Sequence, residues 1–245
     1  MKKILFLFCV TSILFVGCEQ EKEIAVFCIG DSTMANKAAE AYPEHGWCMV
    51  IDEYFNSSVK VKNHAKNGRS SKSFIDEGRW QTVLDSLQPG DYVFIQFGHN
   101  DQKAYDSTRY TVPFGSYTDN LRKFVTESRE KKATPILFTS IVRRKFGANG
   151  QLSDTHGDYP VATRKVAAEL NVPLIDLQKL TEEWVNNLGD EASKEMYMWT
   201  NITTERFKEP RTDDTHLSDQ GAHKVAELAT TALANQVPEL AHKLK

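Results

Sequence analysis

The segment Ile24-Ala-Val-Phe-Cys-Ile29 is a continuous apolar run, and Gly30-Asp31-Ser32-Thr33 follows it directly. A run of this length, rich in β-branched and aromatic residues and ended by a glycine, is typical of a strand buried on both faces. Similar runs recur along the chain, at residues 59–63, 91–97, 135–139 and 172–177. The run at 59–63 alternates valine with lysine, which favours an edge strand.

Helix-length segments separate these runs, at about 46–56, 73–87, 116–132, 159–170 and 178–188. A last helix places apolar side chains on one face and has Ser218 as its predicted N-cap; these apolar residues are Ala222, Val225, Ala226, Ala229 and Leu233. Strands that alternate with helices predict a three-layer α/β/α sandwich around a five-stranded parallel sheet of flavodoxin-like type. Residues 190–215 show no clear period and are predicted to form a loop. No repeat or second core is evident, so residues 24–245 are predicted to form a single domain.

The composition of the chain argues against two classes of protein, nucleic-acid-binding proteins and integral membrane proteins. The 245 residues include 30 Lys and Arg against 33 Asp and Glu, a formal net charge of −3. Nucleic-acid binding normally requires a basic surface, so we expect no nucleic-acid partner. After the first residues no apolar run reaches 18, which argues against a membrane-embedded body.

The N-terminus resembles a bacterial lipoprotein signal. Met1, Lys2 and Lys3 precede an almost entirely apolar stretch at 4–16, and Gly17-Cys18 follows it. Residues 1–17 are therefore predicted to be a lipoprotein signal peptide, with Cys18 as the acylated first residue and 18–23 as an acidic tether. Phe15 replaces the usual leucine of the motif, so simple cleavage and secretion is the alternative. The prediction is an exported bacterial lipoprotein, in the periplasm or at the outer membrane or cell surface, that touches the membrane only through its lipid anchor.

Two cysteines remain in the predicted domain, Cys28 and Cys48. An oxidising compartment would permit a disulfide between them, whereas their apolar surroundings favour buried free thiols, and the sequence leaves both open. No Cys-x-x-Cys or His-x-x-x-His spacing is present, so we predict no metal site and no cofactor.

Four short polar segments follow strand ends or precede the last helix: Gly30-Asp-Ser-Thr33, Asn67-Gly-Arg-Ser-Ser71, Gly98-His-Asn-Asp101 and Asp213-Asp-Thr-His216. Taken singly, each is most simply a helix cap, a turn or a surface histidine. In doubly wound sheets, however, ligands bind outside the carboxyl ends of the strands. The four segments together would supply a nucleophile, amide donors and a histidine with an orienting carboxylate.

At these positions the sequence resembles the SGNH (GDSL-like) hydrolases. The residues that carry the likeness are Ser32, Gly68, Asn100, and Asp213 with His216. The extended blocks at 30–35, 63–80, 97–102 and 154–160 are similar to the rhamnogalacturonan acetylesterase branch. The likeness runs from about residue 24 to 235, so residues 24–245 are predicted to be one SGNH hydrolase domain.

The resemblance implies a serine esterase that removes O-acetyl groups from acetylated pectic polysaccharide or oligosaccharide. It assigns Ser32 as nucleophile, His216 as general base and Asp213 as the residue that orients the histidine, with Asp214 less favoured by the spacing. It also implies an oxyanion hole made by the backbone N–H groups of Ser32 and Gly68 and the side-chain amide of Asn100.

The sequence identifies the residues that contact the substrate less clearly than it identifies the catalytic residues. Arg69, Trp80 and His156 are candidates, although an arginine can be a solvated charge, a tryptophan part of the core, and His156 a loop-stabilising residue. Tyr159 and Trp199 are further candidates for stacking on sugars, and further candidates for binding carboxylates are Lys72, Arg79, Arg143 and Arg144. His99 is expected to shape its loop. The remaining histidines of the domain are expected to be structural or solvated: His45, His64, His223 and His242.

Three other functions stay open at this point. An acetylxylan esterase would share the chemistry but not the polysaccharide, and a lipid-directed esterase or thioesterase would require a broad apolar trough. A non-catalytic glycan-binding lipoprotein would use the same fold without turnover.

Overall fold

The computed structural model describes residues 23–245. The predicted signal peptide, Cys18 and all of the predicted tether except Glu23 lie outside the described residues. None of the helices within residues 23–245 combines the length and the apolar character needed to cross a membrane.

The strands of this region form two sheets. In chain order they are β1 (Ile24–Gly30), β2 (Glu44–His45), β3 (Val59–Asn63), β4 (Tyr92–Gln96), β5 (Thr134–Phe138), β6 (Leu174–Ile175), β7 (Tyr197–Thr200) and β8 (Arg211–Ser218). The larger sheet is parallel and has the order β3-β1-β4-β5-β6. The chain leaves β1 for the edge strand β3 and then returns to β4 on the other side of β1, so the strand order reverses there. This reversal opens a crevice at the carboxyl ends of β1, β3 and β4.

Helices cover both faces of the parallel sheet. In chain order they are α1 (Trp47–Val50), α2 (Ser71–Asp76), α3 (Arg79–Ser86), α4 (Thr118–Glu130), α5 (Asp158–Glu169), α6 (Leu177–Ser193), α7 (Asp219–Gln236) and α8 (Pro238–Ala241). Shorter helical turns lie at Ala39–Ala41, Ile51–Tyr54, Pro113–Tyr117 and Lys194–Met196.

Alternate residues of the inner strands supply two cores. Val26 and Cys28 of β1 pack with α1, α6, α7 and α8, whereas Phe27 and Ile29 pack with α2 to α5 on the opposite face. Because β1 is covered on both faces, its residues are apolar without alternation. The predicted α/β/α sandwich with a five-stranded parallel sheet is confirmed.

Some predicted helices are interrupted. The predicted helix at 73–87 breaks into α2 and α3 at Gly78, whose φ of 71° is not helical. The predicted helix at 46–56 is one turn of α-helix continued by the 3₁₀ turn Ile51–Tyr54. The prediction for α7 holds, since Ser218 Oγ accepts a hydrogen bond from Gly221 N (3.1 Å) as its N-cap.

The predicted loop at 190–215 is confirmed only for residues 201–210. The residues before it complete α6 and form β7, and those after it begin β8, which pairs antiparallel with β7 on one side and β2 on the other. The pairing is irregular: Tyr197 of β7 faces Leu217, but the next residue, Met198, faces Asp213. Residues 214–216 therefore form a bulge on β8, which hides the two-residue period of a strand.

The two cysteines of the domain, Cys28 on β1 and Cys48 on α1, are both buried free thiols. Burial, together with the neighbouring Cys28 thiol, raises the pKa of Cys48 well above its usual value. Both side chains belong to the core between β1 and α1.

Candidate active site

Ser32 stands in the tight turn that follows β1. Gly30 makes this turn possible, because a Cβ there would lie 2.4 Å from Met34 Sδ and 2.7 Å from the Gln96 carbonyl oxygen. Thr33 donates to buried Asp31 Oδ1 from both its backbone N and its hydroxyl, each at 2.9 Å. These contacts hold the turn, and the Ser32 side chain reaches the crevice at the carboxyl edge of the sheet.

Ser32, His216 and Asp213 form a continuous hydrogen-bonded chain. His216 Nε2 lies 2.9 Å from Ser32 Oγ, and His216 Nδ1 lies 2.7 Å from Asp213 Oδ2. Asp213 Oδ1 accepts from the backbone N of His216 (3.0 Å) and of Thr215 (2.8 Å). Although burial opposes it, the hydrogen bonds and charge of His216 hold the pKa of Asp213 well below its usual range. The arrangement allows a serine hydroxyl to pass its proton to an imidazole whose opposite nitrogen is held by an ionised carboxylate.

The bulge on β8 explains how Asp213 and His216 can meet. Side chains three residues apart on a regular strand point to opposite faces of the sheet. Here residues 214–216 have no partner on β7, so the chain between Asp213 and Leu217 leaves the strand path. Both side chains can then turn toward the same crevice.

A buried network of charged side chains joins the two ends of this chain of hydrogen bonds. Lys37 Nζ donates to the Ser32 carbonyl oxygen (2.6 Å) and pairs with Glu44 Oε1 (2.8 Å). The other Glu44 oxygen accepts from Arg211 (2.8 Å), which also donates to Asp213 Oδ2 (3.1 Å). Side-chain exposure is only 2% for Lys37 and 7% for Glu44. The network therefore fixes the nucleophile turn relative to β8.

Gly68 and Asn100 lie beside Ser32 in the same crevice. Gly68 has a φ of +77°, which a residue with a side chain rarely adopts. Asn100 Nδ2 donates one hydrogen to the Arg69 carbonyl oxygen (3.1 Å), which orients the amide and leaves its second N–H for a ligand. A side-chain amide and loop backbone at the mouth of the cleft suit the stabilisation of an oxyanion.

Asp101, next to Asn100, joins the loops that follow β3 and β4. Its carboxylate accepts from the Ser71 hydroxyl (2.5 Å) and from Gly98 N (3.1 Å), and Thr111 donates to it at 3.0 Å. Burial raises the pKa of Asp101 to about 7. Its hydrogen bonds hold the loops that carry Gly68 and Asn100 at a fixed separation.

Comparison with known proteins identifies the family. A model described as the GDSL-like lipase/acylhydrolase family matches residues 28–224. Rhamnogalacturonan acetylesterase RhgT of Bacillus subtilis (strain 168) is 39% identical over 226 residues, which cover 92% of this chain and 94% of the relative. This chain belongs to the GDSL-like lipase/acylhydrolase family. The resemblance seen in the motifs is confirmed, and the protein is a carboxylic ester hydrolase.

Solved structures agree on the fold of this GDSL-family enzyme. Protein YxiM of Bacillus subtilis superposes with a TM-score of 0.74 at 25% identity, and the match covers 88% of this chain but only 57% of that one. The acetylxylan esterase Axe2 of Geobacillus stearothermophilus gives a TM-score of 0.63 at 19% identity, with 86% and 94% covered. At that identity the likeness concerns the fold alone.

The cleft of this GDSL-family enzyme has a volume of about 440 Å³ and a polar lining. Besides Ser32, Gly68, Asn100 and His216, it is lined by Glu44, Asn67, His99, Lys103, Arg143, Arg206, Phe207, Arg211 and Thr215. Phe207 is the one large apolar side chain in this lining, within the part of the chain that the structure describes. Its ring is covered by Arg211, whose guanidinium carbon lies 4.1 Å from the ring centroid.

Two neutral histidines support the floor of this cleft. His99 is buried and has no hydrogen-bond partner on either ring nitrogen within residues 23–245, and its ring meets His156 edge to face at 4.7 Å. Burial holds the pKa of His99 well below its usual value and lowers the pKa of His156 to about 4. His156 Nε2 lies 2.8 Å from the Ile141 carbonyl oxygen, to which it donates. Because His156 is buried and does not line the cleft, its position fits the loop-stabilising alternative rather than substrate contact.

The predicted sugar contacts of Trp80 and Tyr159 are wrong. Trp80 is 2% exposed, packs on Phe124 and donates to Glu127, so it belongs to the core. Tyr159 is also buried, and its hydroxyl donates to the Asp101 and Thr111 carbonyl oxygens. Both rings fill the α/β core, which uses large aromatic side chains as readily as a sugar site does.

Most predicted cationic contacts are engaged elsewhere. Arg69 and Arg79 share the carboxylate of Glu77, and Lys72 Nζ donates to the Ser107 carbonyl oxygen (2.6 Å). Arg69 and Lys72 line a neighbouring groove of about 660 Å³, which meets the catalytic cleft at Gly68.

The buried Arg144 pairs with Asp190 and Asp214, and Trp199 stacks on its guanidinium at 4.7 Å. Asp214 is thus bound away from His216, in agreement with the spacing that favoured Asp213. Of the predicted cationic contacts, Arg143 alone lines the catalytic cleft among the described residues.

Sequence reasoning missed Lys37, Glu44, Lys103, Arg206 and Arg211. A lysine or arginine in a loop has no sequence signal that separates a cleft position from a solvated one. Only the short spacing from Arg211 to Asp213, within one segment, gave a usable hint. Within residues 23–245, no group of three or more His, Cys, Asp or Glu side chains is placed to hold a metal ion.

Proposed function

We propose that this enzyme is a serine carbohydrate esterase that removes O-acetyl groups from acetylated rhamnogalacturonan. The observation that carries the proposal is the Ser32–His216–Asp213 hydrogen-bond chain in a family member that is 39% identical, over nearly its whole length, to a rhamnogalacturonan acetylesterase. The polar cleft agrees with a sugar substrate more closely than with a long acyl chain.

The reaction follows from the geometry in two halves. Ser32 Oγ attacks the acetyl carbonyl carbon while His216 Nε2 takes the hydroxyl proton over 2.9 Å. The developing oxyanion receives hydrogen bonds from the Asn100 amide and from the backbone N–H groups of Ser32 and Gly68. The ester C–O bond then breaks, and His216 returns the proton to the sugar oxygen that leaves.

Water completes the second half. His216 removes a proton from a water molecule, which attacks the acetyl-serine, and the collapse of the second tetrahedral intermediate releases acetate and restores Ser32. Asp213 stays ionised throughout, because its carboxylate is held by the His216 ring and two backbone N–H groups.

The proposal is tested by measuring acetate released from acetylated rhamnogalacturonan, acetylated homogalacturonan and acetylated xylan, with the Ser32→Ala variant as the blank. We expect the fastest release from rhamnogalacturonan and none with the blank. Faster release from xylan would favour an acetylxylan esterase. Binding to these glycans without acetate release by the intact enzyme would favour a non-catalytic role.

A series of p-nitrophenyl esters tests the lipid-directed alternative. The cleft offers one large apolar side chain, Phe207, among the residues that the structure describes, and this ring is covered by Arg211. We therefore expect acetate to be the preferred acyl group and activity to fall with each added methylene. Preference for butyrate or longer chains would contradict the proposal.

We also propose export and lipid anchoring through Cys18, on the strength of the N-terminal sequence. Metabolic labelling with a fatty acid is expected to mark the full-length chain and not a Cys18→Ser variant. Equal labelling of both chains would refute it.

A further inference from the structure

The catalytic cleft is cationic in a protein whose net charge is −3. Its lining contains four basic side chains, Lys103, Arg143, Arg206 and Arg211, and one carboxylate, Glu44. Glu44 is already shared by Lys37 and Arg211 and is therefore not available to the others. A cleft with surplus positive charge attracts anionic ligands.

Lys103 is the clearest case of an unused cation. Its ammonium group has no hydrogen bond and no ion pair among the described residues, although the side chain is only partly exposed. The chain positions it beside the oxyanion site, since Lys103 N donates to the Asn100 carbonyl oxygen at 3.2 Å. Other cations near this site do pair with carboxylates, as Arg109 does with Asp106 and Arg211 with Glu44.

Arg143 is the second such cation. Its guanidinium donates only to carbonyl and hydroxyl oxygens: to Thr155 O at 3.0 Å and Thr155 Oγ1 at 3.4 Å, and to His99 O at 3.3 Å. No carboxylate pairs with it within residues 23–245. Arg143 and Lys103 both line the cleft, and they bond to the neighbouring carbonyl oxygens of His99 and Asn100.

Cations that line the same cleft repel each other, and an anionic ligand bound between them relieves this repulsion. The pKa of Lys103 is lowered mainly by burial and further by the charges of Arg109 and Arg143, while the carboxylates of Asp31 and Asp106 raise it. A carboxylate between an ammonium and a guanidinium would receive charge-assisted hydrogen bonds from both.

We propose that Lys103 and Arg143 form a carboxylate-binding subsite that holds an acidic sugar of the substrate beside the acetyl group under attack. The inference deepens the proposed function and rests on it for the identity of the sugar. It makes this pair the determinant that separates acidic acetylated glycans from neutral ones.

The test uses an inhibitor, so that it does not depend on which polysaccharide is the substrate. Trigalacturonate without acetyl groups, and its fully methyl-esterified form, are titrated against hydrolysis of p-nitrophenyl acetate. We expect the acid to inhibit the wild type with a Ki about tenfold lower than the ester, which corresponds to one charge-assisted hydrogen bond of modest strength. Raising the ionic strength is expected to weaken inhibition by the acid more than by the ester.

Variants locate the effect. Lys103→Met is expected to bring the two Ki values together, and Lys103→Arg to keep most of their difference. Because the Lys103 ammonium makes no hydrogen bond or ion pair within residues 23–245, we expect its removal to leave the melting temperature nearly unchanged. Arg143→Met is expected to act in the same direction. Its melting temperature is measured alongside, because the change also removes the hydrogen bonds from Arg143 to the Thr155 and His99 carbonyl oxygens. Lys131→Met, an exposed lysine just beyond the end of α4, is the matched control and should retain the full difference.

Equal inhibition of the wild type by acid and ester would overturn the subsite, as would a difference that survives in both Lys103→Met and Arg143→Met. Failure of the proposed function gives a different result, because the enzyme would then release no acetate from rhamnogalacturonan. Stronger inhibition by the acid than by the ester, lost in Lys103→Met, would still support the subsite in that case.

Discussion

Replacing Asp213 by asparagine separates the electrostatic role of this residue from its structural role. Asp213 Oδ1 accepts two backbone N–H groups, and an asparagine oxygen can continue to accept both. Asp213 Oδ2 accepts from His216 Nδ1 (2.7 Å) and from Arg211 (3.1 Å). In asparagine an NH₂ group replaces this oxygen, so its N–H groups would face the N–H groups of His216 and Arg211. His216 would then keep its hydrogen bond only by carrying its proton on Nε2, where it faces Ser32 and cannot accept the serine proton.

The size of the loss can be worked from these distances. At an effective dielectric constant of about 20, an imidazolium and a carboxylate with charges about 4 Å apart attract each other by about 4 kcal/mol. This stabilisation exists only when His216 is protonated, so it lowers the transition state, and at about 1.4 kcal/mol per factor of ten it is worth about 10³ in rate. The wrong tautomer adds to this loss, so we expect Asp213→Asn to reduce kcat by about 10³- to 10⁴-fold.

The assay is initial-rate hydrolysis of p-nitrophenyl acetate, with the melting temperature of each variant as a check on folding. Asp214→Asn is the matched control, because Asp214 Oδ1 is bound to Arg144 (2.8 Å) and Trp199 Nε1 (2.7 Å) and does not contact His216. The control is expected to lower stability and to keep most of kcat. A folded Asp213→Asn enzyme with more than about a tenth of the wild-type kcat would refute the reasoning, since a tenfold loss is only about 1.4 kcal/mol.

Further predictions concern the oxyanion site, the core and pH. Asn100→Ala should reduce kcat about 10²- to 10³-fold with little change in KM, measured by steady-state kinetics. In Gly221→Ala a Cβ would lie 1.9 Å from the Met196 carbonyl oxygen, so we expect a loss of about 3 kcal/mol in urea unfolding. Arg164 makes a two-pronged contact with Asp176 (2.8 and 2.9 Å) and, although burial opposes it, lowers the pKa of that carboxyl. A folded pKa below the unfolded one stabilises the protein above about pH 4. Arg164→Met should therefore cost about 1–2 kcal/mol at pH 7, and progressively less as the pH falls below about 4, in the same unfolding assay.

The parallel sheet was predictable because an inner strand is buried on both faces and its residues are therefore mostly apolar. The run at 24–29 is apolar throughout, the run at 91–97 is apolar except for Asp91 and Gln96, and a glycine follows each run. The second sheet was not predictable by the same rule. β7 has only four residues, β8 is mostly half-buried, and the two strands pair across a bulge. Neither alternation nor a continuous apolar run therefore reveals them.

The order of the motifs predicted which residues would lie together in the site. It did not predict the backbone conformation that brings them together. A regular strand would separate Asp213 from His216, and the three-residue bulge is what brings them to one side. Leu217 and Ser218 follow the bulge and pair regularly with β2. α7 begins at the next residue. The catalytic irregularity is thus held between two regular elements.

Charged side chains show why substrate recognition is harder to predict than catalysis. Arg69 and Arg143 have the same side chain and both lie in loops. Arg69 pairs with Glu77, just beyond the end of α2, whereas Arg143 has no carboxylate partner among residues 23–245. Whether a cation is paired depends on distances that form only after folding, whereas a nucleophile, a base and their spacing are properties of residue type and order. Recognition of an acidic sugar would then depend on the cations that have no carboxylate partner in the folded protein. These cations can be identified only from the folded structure, once the ion pairs of the described residues are known.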